Sequence, residues 1–255
     1  MLIQLFHSPM DHFEVQSLIS LNLPILGYIN FSLTNLGLYT LIAIYLSIAF
    51  HVLGNNDNKL IPNYWSIALE TGYASVLSLV KSQVGAANEV YLPFIYSLFF
   101  FLLFANLSGN VPYSFTVFTS GIASIGLSMV IFIGVTILGL SIHKAHFFSF
   151  FVPSGAPAAL IPLLVPIEIV SYLARSLSLG VRLFANLISG HTLITILSSF
   201  IAPLFTGGIL SAVLALVPFT IFLAIVGLEV AVSVVQAYVF CILTASYLKD
   251  AIDLH

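Results

Sequence analysis

The spacing of a few charged side chains constrains this chain more than any other feature. From Ser32 to Leu53 no Asp, Glu, Lys or Arg occurs, and as a helix of roughly 33 Å that run would cross the hydrocarbon core of a bilayer once. Two more uncharged runs follow, Phe94 to Leu107 and Phe115 to Ile142, the second long enough to cross with a tilt. Charged residues make up 6% of the chain and hydrophobic ones 60%. An ordinary soluble domain is roughly a quarter charged, so a water-soluble fold is excluded. The 6 Lys plus Arg set against 9 Asp plus Glu leave no basic surface for nucleic acid. The single cysteine, Cys241, has no internal partner, and no Cys/His spacing suggests zinc.

The breaks between runs give the layout. Asn55, Asn56, Asp57, Asn58 and Lys59 form a polar turn. From Asn63 to Gln83, Trp65, Ala68, Leu69, Val76, Leu79 and Val80 recur at helical spacing among polar residues, which predicts a helix lying along the interface. Pro93 opens the next run at a first-turn position, and Asn106, Ser108, Gly109, Asn110 and Pro112 close it. The segment His143 to Pro166 holds four prolines and reads as a loop. Between Pro166 and Pro203 an unbroken helix would be about 54 Å long, too long to stand upright in a membrane. After the Gly207-Gly208 break a second long apolar run, interrupted by Pro218, reaches Leu248. The pair reads as a tilted antiparallel hairpin, although two shorter kinked spans fit the same letters.

The expected fold is therefore an all-α integral membrane protein with five crossings and one interfacial helix. Residues 1–255 form a single membrane domain: a tail over 1–31, a first span over 32–53, the interfacial helix over 63–83, a helix pair over 94–142 and the hairpin over 160–250. This count puts Lys59, Lys81, Lys144 and Lys249 on one side. By the positive-inside tendency the N-terminus is outside and the C-terminus inside. Met1 to Met10 lacks the basic n-region of a secretory signal and the Arg-rich pattern of an imported presequence. No internal repeat of the kind that builds many carriers is present.

Ionisable groups at membrane depth are costly, so function is the first hypothesis for each. Glu168, Arg175 and Arg182 are spaced seven apart and share one helix face. Ser178 and Asn186 flank Arg182 by one turn each way, whereas His191 falls on the opposite side. On the last helix Glu229, Ser233 and Gln236 form a second polar face, with Asp250 further on. Folding the two helices back on each other at the glycine pair places Glu168 level with Asp250, Arg182 with Gln236, and His191 with Glu229. His and Glu can exchange protons when their surroundings tune them, whereas a guanidinium stays charged. A fixed cation at mid-depth would repel a free proton and attract a mobile carboxylate.

The run Ser176-Leu177-Ser178-Leu179-Gly180-Val181-Arg182-Leu183-Phe184-Ala185-Asn186 followed by Gly190-His191 resembles the signature of subunit a of the F-type ATP synthase. Glu229, Gln236-Ala237-Tyr238-Val239 and the ending Leu243-Thr244-Ala245-Ser246-Tyr247-Leu248-Lys249-Asp250 resemble the last helix of its mitochondrial form. The resemblance implies a proton-conducting stator subunit, itself non-catalytic, with two offset half-channels beside a rotating ring of c subunits. It implies that Arg182 faces the ring carboxylates, that His191, Glu229, Asn186 and Gln236 serve the outer half-channel, and that Glu168 and Asp250 serve the inner one. Arg175, Ser178 and Ser233 are left as structural or accessory groups. No cofactor or metal is implied, the translocated ion being the proton. The implied partners are the c-ring, the peripheral stalk, other membrane subunits of the complex and the lipid bilayer. The implied location is the mitochondrial inner membrane, with the N-terminus in the intermembrane space and the C-terminus in the matrix. Ser8-Pro9-Met10-Asp11 resembles a region where some relatives lose a short leader, here residues 1–7.

Plainer readings stand beside these. Arg182 could snorkel to an interface, His191 and Glu229 could pair only to fix helix register, and Asn186 and Gln236 could merely stitch helices together. His143 and His146 have a metal-compatible spacing but no carboxylate or cysteine beside them. Two other functions compete. A redox membrane subunit would need paired histidines for haem, and only His51 and His191 lie well within spans. A self-contained carrier is disfavoured by the missing repeats. No Walker-type nucleotide-binding segment occurs.

Overall fold

The computed structural model describes residues 14–22, 30–55, 61–111, 114–151 and 160–252. Among the described residues seven α-helices run in chain order as α1 (Asn35–Gly54), α2 (Tyr64–Gln83), α3 (Leu92–Gly109), α4 (Gly121–His143), α5 (Ile161–Thr206), α6 (Ile209–Leu214) and α7 (Leu216–Ile252). Five of them, α1, α3, α4, α5 and α7, are long and apolar enough to cross a membrane. The protein is an all-α membrane fold. The N-terminal tail contributes an antiparallel hairpin, β1 (Ser17–Asn22) and β2 (Asn30–Thr34), that the sequence reading did not anticipate. The suggested leader over 1–7 lies outside the described residues.

Helix starts follow local chemistry. The Thr34 hydroxyl accepts the Gly37 N–H at 3.2 Å and caps α1. Asn63 accepts the Tyr64 N–H at 2.8 Å ahead of α2. Prolines occupy the first turns of α3 and α5, where the missing N–H has no intrahelical use. The helix α5 begins at Ile161 instead of after Pro166, so the expected loop is shorter and Pro166 lies inside the helix. At the other end Gly208 has φ +129°, a backbone conformation that favours glycine. The short helix α6 then intervenes before α7, an element the sequence reading merged into the last run. Its end has a steric cause: the ring of Pro218 opposes the carbonyl of Leu214, four residues earlier and the last residue of α6.

The helices pack as a bundle in which α4 lies against α5, α3 against α7, and α5 against α7. The α4–α5 crossing is close because its contact residues are small. Ser176 and Gly180 of α5 meet Ser124 and Ser128 of α4, and a Cβ added at Gly180 would lie 2.5 Å from Ser128 Oγ and 2.9 Å from Ile125 Cα. Small residues one turn apart let backbones approach in this way. Ile95 and Leu102 of α3, Leu179 and Leu183 of α5 and Phe240 of α7 are fully buried. Amphipathic α2 turns Val76, Leu79 and Val80 into the bundle and is joined to α1 by a bond from Ser66 Oγ to the Gly54 carbonyl, 2.8 Å.

Directions along the bundle follow from contacts. The ends of α4 and α7 meet where His143 Nε2 donates to the Ile252 carbonyl at 2.9 Å, and the end of α1 meets the start of α3 where His51 contacts Tyr96. The start of α3 lies against the later part of α7 where Cys241 meets the Ile95 carbonyl, and Lys81 pairs with Glu89 just ahead of α3, so Lys81, Lys144 and Lys249 share one end of the bundle, called here the basic end, while Lys59 lies outside the described residues.

Candidate functional site: the α5–α7 interface

Away from the basic end, the buried polar face of α7 is Glu229, Ser233 and Gln236, each at most 7% exposed. Spacings of four and three place them on one side of the helix. From α5, His191 brings Nδ1 to 3.3 Å from Glu229 Oε1. A third helix completes the site. Asn106, fully buried on α3, donates to the Ser233 carbonyl at 3.3 Å, and Asn110 donates to Ser233 Oγ at 3.0 Å. Asn106 Oδ1, Asn110 Oδ1 and Gln236 Nε2 are buried with no hydrogen bond among the described residues. Buried polar atoms in this state are costly unless water or an ion reaches them. The sequence reading treated Asn106 and Asn110 only as helix-ending residues. The available signal was an amide inside an otherwise apolar run.

Arg182 lies near the midpoint of α5 and is exposed on the free surface of that helix. Ser178, Ala185 and Ser189 are exposed with it, so the surface around the guanidinium is low. Among the described residues no carboxylate pairs with Arg182. Half-buried Asn186 sits one turn further along. The expected partnership of Arg182 with Gln236 is not formed. Gln236 is drawn into the buried face that carries Glu229, whereas the guanidinium occupies the free side of α5.

At the basic end the second expected pairing is also corrected. Asp250 Oδ2 bonds Arg175 Nη1 at 2.9 Å, and half-buried Glu168 has no ion pair among the described residues. The shift is one heptad along α5. Two adjacent carboxylates repel, whereas the guanidinium supplies the opposite charge, so Asp250 takes Arg175. Tyr247 reinforces the contact by donating its hydroxyl to the Arg175 carbonyl at 3.0 Å. The Arg175 side chain is 37% exposed and that of Asp250 27%, so water weakens the attraction while leaving the geometry in place.

His51 lies apart from this interface. Its Nδ1 contacts the Ser47 carbonyl at 2.6 Å and its Nε2 the Tyr96 hydroxyl at 2.9 Å. Since a carbonyl only accepts, Nδ1 carries the hydrogen in the first bond. Both ring nitrogens are engaged within the α1–α3 contact, which disfavours the haem reading for this residue.

These features define a multi-span α-helical membrane protein in which a buried carboxylate, Glu229, and its polar neighbours meet where α3, α5 and α7 come together. The family model described as ATP synthase A chain matches residues 37–249, and the chain belongs to that family. It is 70% identical to ATP synthase subunit a of Mycosarcoma maydis over 98% of this chain and 99% of that protein. It is 50% identical to ATP synthase subunit a of Emericella nidulans over 97% of each chain, and 41% identical to that of Chondrus crispus over 97% of each.

Proposed function

We propose that this chain is the proton-conducting stator subunit of a rotary F-type ATP synthase in the mitochondrial inner membrane, working beside a ring of c subunits and held by other membrane subunits and the peripheral stalk. Its relatives are named for that complex, and its five apolar helices suit a multi-pass protein. The basic end faces the matrix by the positive-inside tendency. The carrying observation is the placement of charge on the α5–α7 pair: a buried His191–Glu229 contact on one side, exposed Arg182 near the middle, and Arg175–Asp250 at the basic end.

Protons enter from the outer side to Glu229 and His191, with Asn186 and Gln236 beside them. The unsatisfied amides of Asn106, Asn110 and Gln236 suit that end to water. From there a proton passes to a ring carboxylate. Arg182 never deprotonates, so it attracts the ionised ring carboxylate and opposes a direct proton leak between the two half-channels. On the matrix side Glu168 and Asp250 receive the proton, with Arg175 tempering the charge of Asp250. Each charge moved gains about 2.3 kcal/mol per 100 mV of membrane potential.

The test replaces Arg182. Arg182→Ala and Arg182→Lys are expected to abolish proton-driven ATP synthesis while the complex still assembles on native gels. Normal synthesis in either variant would refute the assignment.

A further inference from the structure

We infer that the hairpin β1–β2 lies in the headgroup layer on the side of the membrane where α1 begins, with its apolar face turned into the lipid and its polar face to water.

The register makes the hairpin amphipathic. Ile19 stands opposite Leu33 and Ser20 opposite Ser32, and the next pairs repeat the alternation, Leu21 with Phe31 and Asn22 with Asn30. Partners across an antiparallel pair share a face and successive residues take opposite faces. One face therefore carries Ile19 and Leu33, and the other Ser20 and Ser32. Leu18 falls at the bulge and has no register partner. Neither strand contains a charged residue. Ile19 is 57% exposed and Leu33 39%, so the apolar face is left open. Among the described residues the substantial packing of the hairpin is strand on strand and β2 on the start of α1. Two strands alone are marginal in water and need a surface to cover their apolar face.

Two features put that surface at the bilayer. The first is the tether. β2 ends at Thr34 and α1 begins at Asn35, with no linker between them. Asn35 also closes the base of the hairpin: its backbone N–H donates to the Gln16 carbonyl at 3.0 Å, its Oδ1 accepts the Gln16 N–H at 3.2 Å, and its Nδ2 donates to the Glu14 carbonyl at 3.1 Å. The 20 residues of α1 rise about 30 Å, the thickness of the hydrocarbon core, so the hairpin starts where the hydrocarbon ends.

The second feature is continuity. A Cβ added at Gly37 would lie 3.9 Å from Leu33 Cδ1, so the Leu33 side chain reaches the first turn of α1. From Gly37 the same helical face runs on through Leu41, Ile44 and Ile48, which are 60%, 42% and 57% exposed. Lipid covering this stripe of the span meets the apolar face of the hairpin without a break. The open edges of the sheet keep it out of the hydrocarbon itself, because their backbone groups need water or headgroups. The boundary between headgroups and acyl chains, where amphipathic elements bury one face, meets both demands.

The experiment uses the whole complex in phosphatidylcholine nanodiscs, with Cys241 replaced and no other reactive cysteine. A single environment-sensitive fluorophore is attached, after assembly, to Ile19→Cys, Leu33→Cys, Ser20→Cys or Ser32→Cys. Each variant thus has only to tolerate a cysteine, and two positions per face guard against one that does not. Phosphatidylcholine bearing a nitroxide near the headgroup end of one acyl chain is expected to quench the emission at positions 19 and 33, which aqueous iodide leaves bright. Positions 20 and 32 should lose emission to iodide and keep it with the nitroxide lipid. Iodide quenching at all four positions would put the hairpin in water and overturn the inference. Closure of positions 19 and 33 to both quenchers would give the face to another subunit and overturn it equally. Quenching of all four by the lipid would also sink it, by burying the polar face.

Discussion

At the scale of single residues, the site contrasts two ways of keeping a polar group among apolar helices. Glu229 is buried and shares its oxygen with His191, while Arg182 is left on a free surface. A carboxylate that relays protons must both bind and release one, which an amide cannot do. Glu229→Gln is therefore expected to lower proton flux about a hundredfold while the amount of assembled complex changes little. Flux in vesicles measured alongside native gels checks this. Asn106 supports the same face from α3, and Asn106→Leu should weaken the Ser233 contact and lower flux. Unchanged conduction in that variant would show that the amide serves packing only.

At the scale of helices, two contacts hold α5 in place. One is the close crossing on α4 through Gly180, and the other is the Arg175–Asp250 pair reinforced by Tyr247. Gly180→Leu forces apart backbones that touch, an overpacking that costs about 1–3 kcal/mol. It should reduce the assembled complex. Asp250→Asn leaves the guanidinium of Arg175 without its counter-charge, and the paired reversal Arg175→Asp with Asp250→Arg should recover part of the lost activity if the contact acts through geometry. Failure of the reversal, with the single variants equally impaired, would assign Asp250 a role that depends on its own position.

Across the whole molecule, the basic end collects Lys81, Lys144 and Lys249, and the number of crossings decides which way the chain lies. Five crossings leave the two termini on opposite sides. Cysteines introduced at Val15 and Lys249, with Cys241 replaced, should react with a membrane-impermeant thiol reagent from opposite faces of the inner membrane. Val15 should label from the intermembrane space and Lys249 from the matrix. Labelling of both from one face would overturn the topology.

What could be read from the letters alone was set by two short-range rules. Apolar length fixes how many helices can span, since every residue of a span must be apolar or costly, and helical periodicity puts Glu229, Ser233 and Gln236 on one face. The opposition of His191 and Glu229 was legible too, because the Gly207-Gly208 turn sets a register near itself. Tertiary structure alone decided the rest. Register drifts with distance from a turn as helices tilt and curve, so Asp250 met Arg175 instead of Glu168. The depth of Asn106 and the close approach at Gly180 arise where separate helices touch, and such contacts leave no periodic trace in either helix on its own.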